Sequence, residues 1–205
     1  LFLLASPLVY LAANAVNTDT LLAAMTTLGI SCYAQYRFGG GNRRWLDAMW
    51  WAFGLAFLTK GPPGLLPLLA IIVFAFWHRD GRVLLRPLGL LGFAVIGLAW
   101  YAAVILRHPG LLEYFLGHEV VARIASNTLN RNSDWYAPFT VFGPALLLGT
   151  LPALMAIAIY RKQAPALERP QEQTRFLWLW FLLPLAVFSL AQSRLPLYVL
   201  GLTVP

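Results

Sequence analysis

Long apolar runs follow one another along almost the whole chain, and they leave few folds open. They cover residues 1–16, 21–36, 45–59, 65–77, 87–106, 139–160, 176–191 and 195–205. A helix needs about 20 apolar residues to cross the hydrocarbon core of a bilayer, with a range of roughly 17–25. A backbone in lipid must also satisfy its own hydrogen bonds, which a helix does within one segment. The sequence therefore predicts an all-α fold, a polytopic transmembrane helical bundle of about eight spans with the first and last cut short. Composition agrees: 60% of residues are hydrophobic and 11% are charged, where soluble domains carry about 25% charged residues. Eight Trp and thirteen Phe supply the aromatic side chains that gather at membrane interfaces.

The net charge of +7 does not point to nucleic acid, because the cations sit in short loops between apolar runs. Counted by parity, the loops at 37–44, 78–86 and 161–175 fall on one side and hold ten of the fifteen Lys and Arg. Loops rich in Lys and Arg stay in the cytoplasm. That assigns 17–20, 60–64, 107–138 and 192–194 to the opposite, outward face, towards a periplasm or an equivalent lumen. Cys32 is the only cysteine and lies within an apolar run, so no disulfide can form within the chain. The chain opens on Leu1-Phe2-Leu3-Leu4, without an initiating Met or a basic leader, and closes at Pro205 inside an apolar run. We expect an internal piece of a longer membrane protein, with 1–205 as one transmembrane domain.

Residues 107–138 form the longest stretch that cannot sit in lipid, and a short amphipathic helix is expected over 111–125. Ionisable groups on the outward set are Asp19, Lys60, His118, Glu119, Arg123, Arg131, Asp134 and Arg194, with Tyr198 just inside the last run. Each has a functional and a structural reading. Asp19 is a carboxylate for positioning or deprotonating a substrate, or, with Thr18, the cap of the helix starting near Leu21. Lys60 is a point charge for a phosphate, or an interfacial lysine reaching for water. The Gly61-Pro62-Pro63 break after it exposes backbone N–H groups suited to anions.

His118 is a metal ligand, a general base or a solvated side chain. Glu119 and Arg123 stand four apart and read equally as a surface ion pair. Arg194 and Tyr198 share a helical face, suited to a lipid phosphate or to interface anchoring. Walker A, G-x-G-x-x-G, G-x-S-x-G and H-E-x-x-H patterns are all missing, so no nucleotide cofactor is expected.

Four short motifs occur in order: Asn17-Thr18-Asp19-Thr20-Leu21-Leu22, Leu58-Thr59-Lys60-Gly61-Pro62, His118-Glu119-Val120-Val121-Ala122-Arg123, and Ser193-Arg194-Leu195-Pro196-Leu197-Tyr198. The ordered set resembles the bacterial GT-C glycosyltransferases of the aminoarabinose lipid A transferase and protein O-mannosyltransferase type. The resemblance implies a polyprenyl-phosphate-sugar donor and attack by a lipid A, protein or glycan acceptor on the outer face of the membrane. By the same resemblance Asp19 matches an acidic residue near the acceptor, and Lys60 and Arg123 match cations that hold the lipid phosphate. Tyr198 matches a tyrosine beside them. His118 matches a histidine that can ligate a divalent metal, zinc or magnesium, together with a glutamate of the first outer loop. That loop and the principal catalytic Asp are expected before Leu1.

Two rivals stand beside this reading. A lipid-linked sugar flippase would use the same cations, but it should show charged or broken segments at mid-bilayer. Here the breaks fall at the ends of runs. A non-catalytic assembly subunit leaves the ordered motifs unexplained.

Overall fold

The computed structural model describes residues 6–14, 17–108, 110–113, 134, 136–160, 171–190 and 196–203. Every regular element among them is helical. In chain order these are α1 (Pro7–Asn14), α2 (Asp19–Phe38), α3 (Arg44–Lys60), a 3-10 turn (Pro62–Leu65), α4 (Leu68–Trp77) and a second 3-10 turn (Gly81–Leu84). Next comes one long helix made of α5 (Pro87–Phe93), a π segment (Ala94–Leu98) and α6 (Ala99–Arg107), then the turn α7 (Gly110–Glu113). A π segment (Pro138–Phe142) leads into α8 (Gly143–Tyr160), followed by α9 (Gln171–Leu190) and a 3-10 helix (Pro196–Thr203). Of the amphipathic helix expected over 111–125, only the start lies within the described residues.

α2 and α3 are joined by a short Gly-rich turn and so pack as antiparallel neighbours. α3 lies on α5 with its other face, α9 covers α4, and the 3-10 helix Pro196–Thr203 wedges against α2 and α8. Fully buried aromatic side chains fill the seams. Tyr33, Phe74 and Phe176 meet with ring centroids 5.1–6.4 Å apart. Between helices in lipid such packing contacts, rather than exclusion of water, supply the attraction.

Two described helices are long and apolar enough to cross a membrane, Pro87–Arg107 and Gln171–Leu190. Only 11% and 17% of their apolar windows are buried, so neither is the core helix of a soluble fold. Leu91, Trp100, Trp178 and Leu190 point outward from them. The Pro62–Trp77 and Pro138–Leu148 stretches are shorter apolar helices.

The antiparallel run gives the bundle two chemically different ends. At one, Arg37 at the foot of α2 bonds Glu172 at the start of α9 over 3.0 Å, and His78 after α4 stands 3.7 Å from the same carboxylate. Arg86 makes a forked pair with the buried Asp47, at 3.1 and 2.7 Å. That hydrogen bond pushes the Arg86 guanidinium further up from its already high value. Trp50 Nε1 donates to Leu84 O at 2.8 Å and pins the same loop. These contacts join the loops of 37–44 and 78–86 to the start of α9, so these two basic loops share one end with it. Asp19 and Lys60 lie at the other end of α2 and α3, about 25 Å away at roughly 1.5 Å per helical residue.

Candidate functional site

The end away from the basic loops is built from three breaks in apolar runs. The first starts α2. Thr18 occupies the N-cap position but its side chain caps nothing. Instead Asn17 Oδ1 accepts the backbone N–H of Asp19 at 2.9 Å. The capping expected of Thr18 or Asp19 is therefore done by Asn17, because the Asp19 carboxylate is engaged elsewhere.

The second break ends α3. Lys60 is its last residue, where a cation also suits the negative end of the helix dipole. Gly61 follows with φ +70°, a left-handed conformation that costs glycine nothing, and its N–H closes α3 on Phe57 O at 2.6 Å. Pro62 then opens the 3-10 turn. The chain so reverses sharply, leaving Lys60 at the rim rather than inside a continuing helix. The third break precedes the 3-10 helix that carries Tyr198.

The start of α2, the end of α3 and the 3-10 helix Pro196–Thr203 converge. Lys60 Nζ donates directly to Asp19 Oδ1. The same ammonium lies over the Tyr198 ring, 4.9 Å from its centroid. Phe188 of α9 flanks that ring at 5.5 Å. The Asp19 side chain is 9% exposed and that of Lys60 is 20% exposed. A carboxylate so far from water needs its partner, since an unpaired buried charge costs several kcal/mol. An ammonium has three donors. With one on Asp19 and a ring face below it, Lys60 keeps donors for an incoming anion.

Of the residues singled out in the sequence, the structure brings Asp19, Lys60 and Tyr198 together. His118, Arg123 and Arg194 lie outside the described residues, as do Glu119 and Arg131. Asp134 is described, and its hydrogen bond with Tyr136 raises the Tyr136 phenol above its ordinary value. Two residues of this end escaped the sequence reading. Asn17 caps α2, and an Asn two places before a helix start is a recognisable signal for that. Tyr101 of α6 donates to Phe57 O at 3.4 Å and stands beside Gly61. Nothing in its apolar surroundings marked it.

No group of three or more His, Cys, Asp and Glu among the described residues could hold a metal ion. Asp19 is a poor ligand as it stands, with an ammonium already on its oxygen. The described residues therefore do not make a metal site.

Residues 1–106, which include Asp19 and Lys60, match the dolichyl-phosphate-mannose-protein mannosyltransferase family. An undecaprenyl phosphate-alpha-4-amino-4-deoxy-L-arabinose arabinosyl transferase of Pseudomonas aeruginosa is 34% identical over 180 residues, 83% of this chain and 31% of the relative. Arabinosyl transferase 1 of the same description, from Pseudomonas fluorescens, is 34% identical over 157 residues, 75% of this chain and 28% of its own. A crystal structure of ArnT from Cupriavidus metallidurans bound to undecaprenyl phosphate superposes with a TM-score of 0.74 at 27% identity, covering 98% of this chain and 37% of that one. The chain thus spans under a third of the length of these curated relatives, which are 28% and 31% covered.

Proposed function

Because the chain belongs to the dolichyl-phosphate-mannose-protein mannosyltransferase family, we propose that it is the part of a GT-C membrane glycosyltransferase that holds the donor phosphate. The donor in this reading is a polyprenyl-phosphate sugar. The sugar is the 4-amino-4-deoxy-L-arabinose of the relatives' names, and the acceptor is lipid A. All the apolar helices are read as spans, eight in all, in a bacterial inner membrane with the Lys60 end facing the periplasm. The observation that carries the reading is the Lys60 ammonium held between Asp19 and the Tyr198 ring at the end away from the basic loops.

The chemistry follows from that contact. An arriving phosphodiester competes with Asp19 for Lys60. As Lys60 turns to it, the Asp19 carboxylate is released beside the reacting sugar. The bond between the anomeric carbon and the phosphate oxygen breaks, and the electron pair leaves with the lipid phosphate. Lys60 and Arg123 stabilise that developing charge. The acceptor oxygen attacks from the opposite face, inverting the anomeric centre; where that oxygen is a hydroxyl, Asp19 takes its proton. Arg194 and Tyr198 complete the phosphate side. Holding donor lipid and acceptor in one cavity supplies proximity. His118 remains our assignment as a ligand for a divalent metal, zinc or magnesium, and no step above runs through it. The relatives' names favour transfer over flipping.

Transfer assayed in membranes from undecaprenyl-phosphate aminoarabinose to lipid A tests the proposal. Asp19→Asn and Lys60→Ala should each lower turnover by about 100-fold or more. Wild-type rates in both, with the protein inserted normally, would sink it.

A further inference from the structure

The basic end carries a cleft that the proposed transfer reaction does not use. It has a volume of about 280 Å³ and is lined by Arg43, Asp80, Arg82, Val83, Leu85 and Arg86, with Pro87 at its edge. Arg86 is committed to Asp47. Arg43 and Arg82 are exposed, and neither has an ion-pair partner among the described residues. Two guanidinium groups, planar and always charged, thus border one hollow beside a half-buried carboxylate.

The wall on the other side is apolar. Leu85 of the lining is 69% exposed, and Leu88, the second residue of α5 and next to the lining residue Pro87, is 56% exposed. They continue onto the lipid-facing surface of the Pro87–Arg107 helix, of which only 11% of the apolar window is buried. A cleft that is cationic above and greasy below, at the foot of a membrane helix, matches a phospholipid in shape and charge. A free phosphate has no use for the exposed leucines.

We propose that this cleft binds the headgroup of a membrane phospholipid. Its phosphate lies against Arg43 and Arg82, its hydroxyl or ammonium donates to Asp80, and its acyl chains run down past Leu85 and Leu88. The site is separate from the Lys60 centre, about 25 Å away along α3 at roughly 1.5 Å per residue. A lipid there would brace the 78–86 loop against the start of α3. Guanidinium groups near a membrane surface attract anionic lipids, so phosphatidylglycerol is the preferred occupant.

The test is native mass spectrometry of the intact protein in gentle detergent, titrated with phosphatidylglycerol. Wild type is compared with Arg43→Gln plus Arg82→Gln, and with Arg82→Gln alone. Both side chains are exposed and unpaired among the described residues, so the fold should tolerate the changes; unaltered helical circular dichroism checks this. The double variant should lose one tightly held lipid, with apparent affinity down about tenfold or more for two charges. Arg82→Gln alone should fall between. Undecaprenyl phosphate binding at the far end should not change. Equal retention of phosphatidylglycerol in wild type and double variant overturns the proposal. Displacement of the lipid by millimolar inorganic phosphate also overturns it, because the cleft would then be a site for soluble phosphate.

Discussion

Lys60 and Asp19, 41 residues apart in the chain, form an ion pair that ties the end of α3 to the start of α2. It is the contact through which the fold and the proposed chemistry meet. As a structural element it makes α2 and α3 share a rim. As a chemical one it keeps a carboxylate and an ammonium poised in a place with little water. The pair predicts an asymmetry. Lys60→Met should destabilise the protein, because it strands the Asp19 carboxylate at 9% exposure. The cost should be about 3 kcal/mol, in the range for breaking a buried pair. Adding Asp19→Asn should recover much of that loss while leaving transfer abolished. Thermal unfolding in detergent reads the first effect and turnover reads the second.

Tyr198 touches Lys60 through its ring. Tyr198→Phe keeps that ring and should bind the donor within a few-fold of wild type. Tyr198→Ala should weaken binding by about 0.5–2 kcal/mol, the span for a cation over an aromatic face. A donor titration that ranks Phe with Ala would move the role to the hydroxyl.

The turn after Lys60 is tightly built. A Cβ on Gly64 would stand 2.6 Å from Ala56 O, a backbone atom that cannot step aside alone. Gly64→Ala should therefore push the 3-10 turn off α3 at a cost of about 1–3 kcal/mol, as overpacking does. It should shift Lys60 as well, so donor affinity should fall together with the melting temperature. A variant that melts lower but binds normally would separate the turn from the site.

The Arg86–Asp47 fork at the basic end should behave as structure alone. Arg86→Lys should lower the melting temperature, because one ammonium cannot replace two parallel guanidinium bonds. The pH sign is clear. The folded Arg86 value is raised, so its stabilisation is complete below the ordinary arginine value and is lost only where arginine itself deprotonates. Melting curves of wild type and Arg86→Lys should stay separated by a constant gap between pH 7 and pH 9, below the range in which the lysine itself titrates. A gap closing over that interval would contradict the assignment.

The helices were legible because their signals are local. Apolar runs bounded by Arg37, Lys60 and Pro87 mark their own ends. The sharing of one end by the loops 37–44 and 78–86 was legible too, since charge parity follows directly from the order of runs. The grouping of Asp19, Lys60 and Tyr198 was legible only through the ordered motifs; residues 19, 60 and 198 carry no periodicity that ties them together. The pairing of Asp19 with Lys60 could not be read at all. It depends on where Gly61 and Pro62 stop α3, a three-dimensional consequence of two dihedral angles. The cap on α2 was misassigned to Thr18 or Asp19 for the same reason: a side chain cannot serve two partners, and the sequence does not say that Lys60 claims Asp19. Tyr101 sat inside an unbroken apolar run, where an interfacial tyrosine and a site neighbour look alike.

Binding of the donor lipid's phosphate at the Lys60 end tests the central claim most directly. The measurement is native mass spectrometry of the intact protein with added undecaprenyl phosphate, comparing wild type with Lys60→Ala plus Arg123→Ala. The prediction is one bound undecaprenyl phosphate in wild type, lost in the double variant while other lipids are retained. Equal binding in both proteins, or none in either, would contradict it and return Lys60 to the role of an interfacial lysine paired with Asp19.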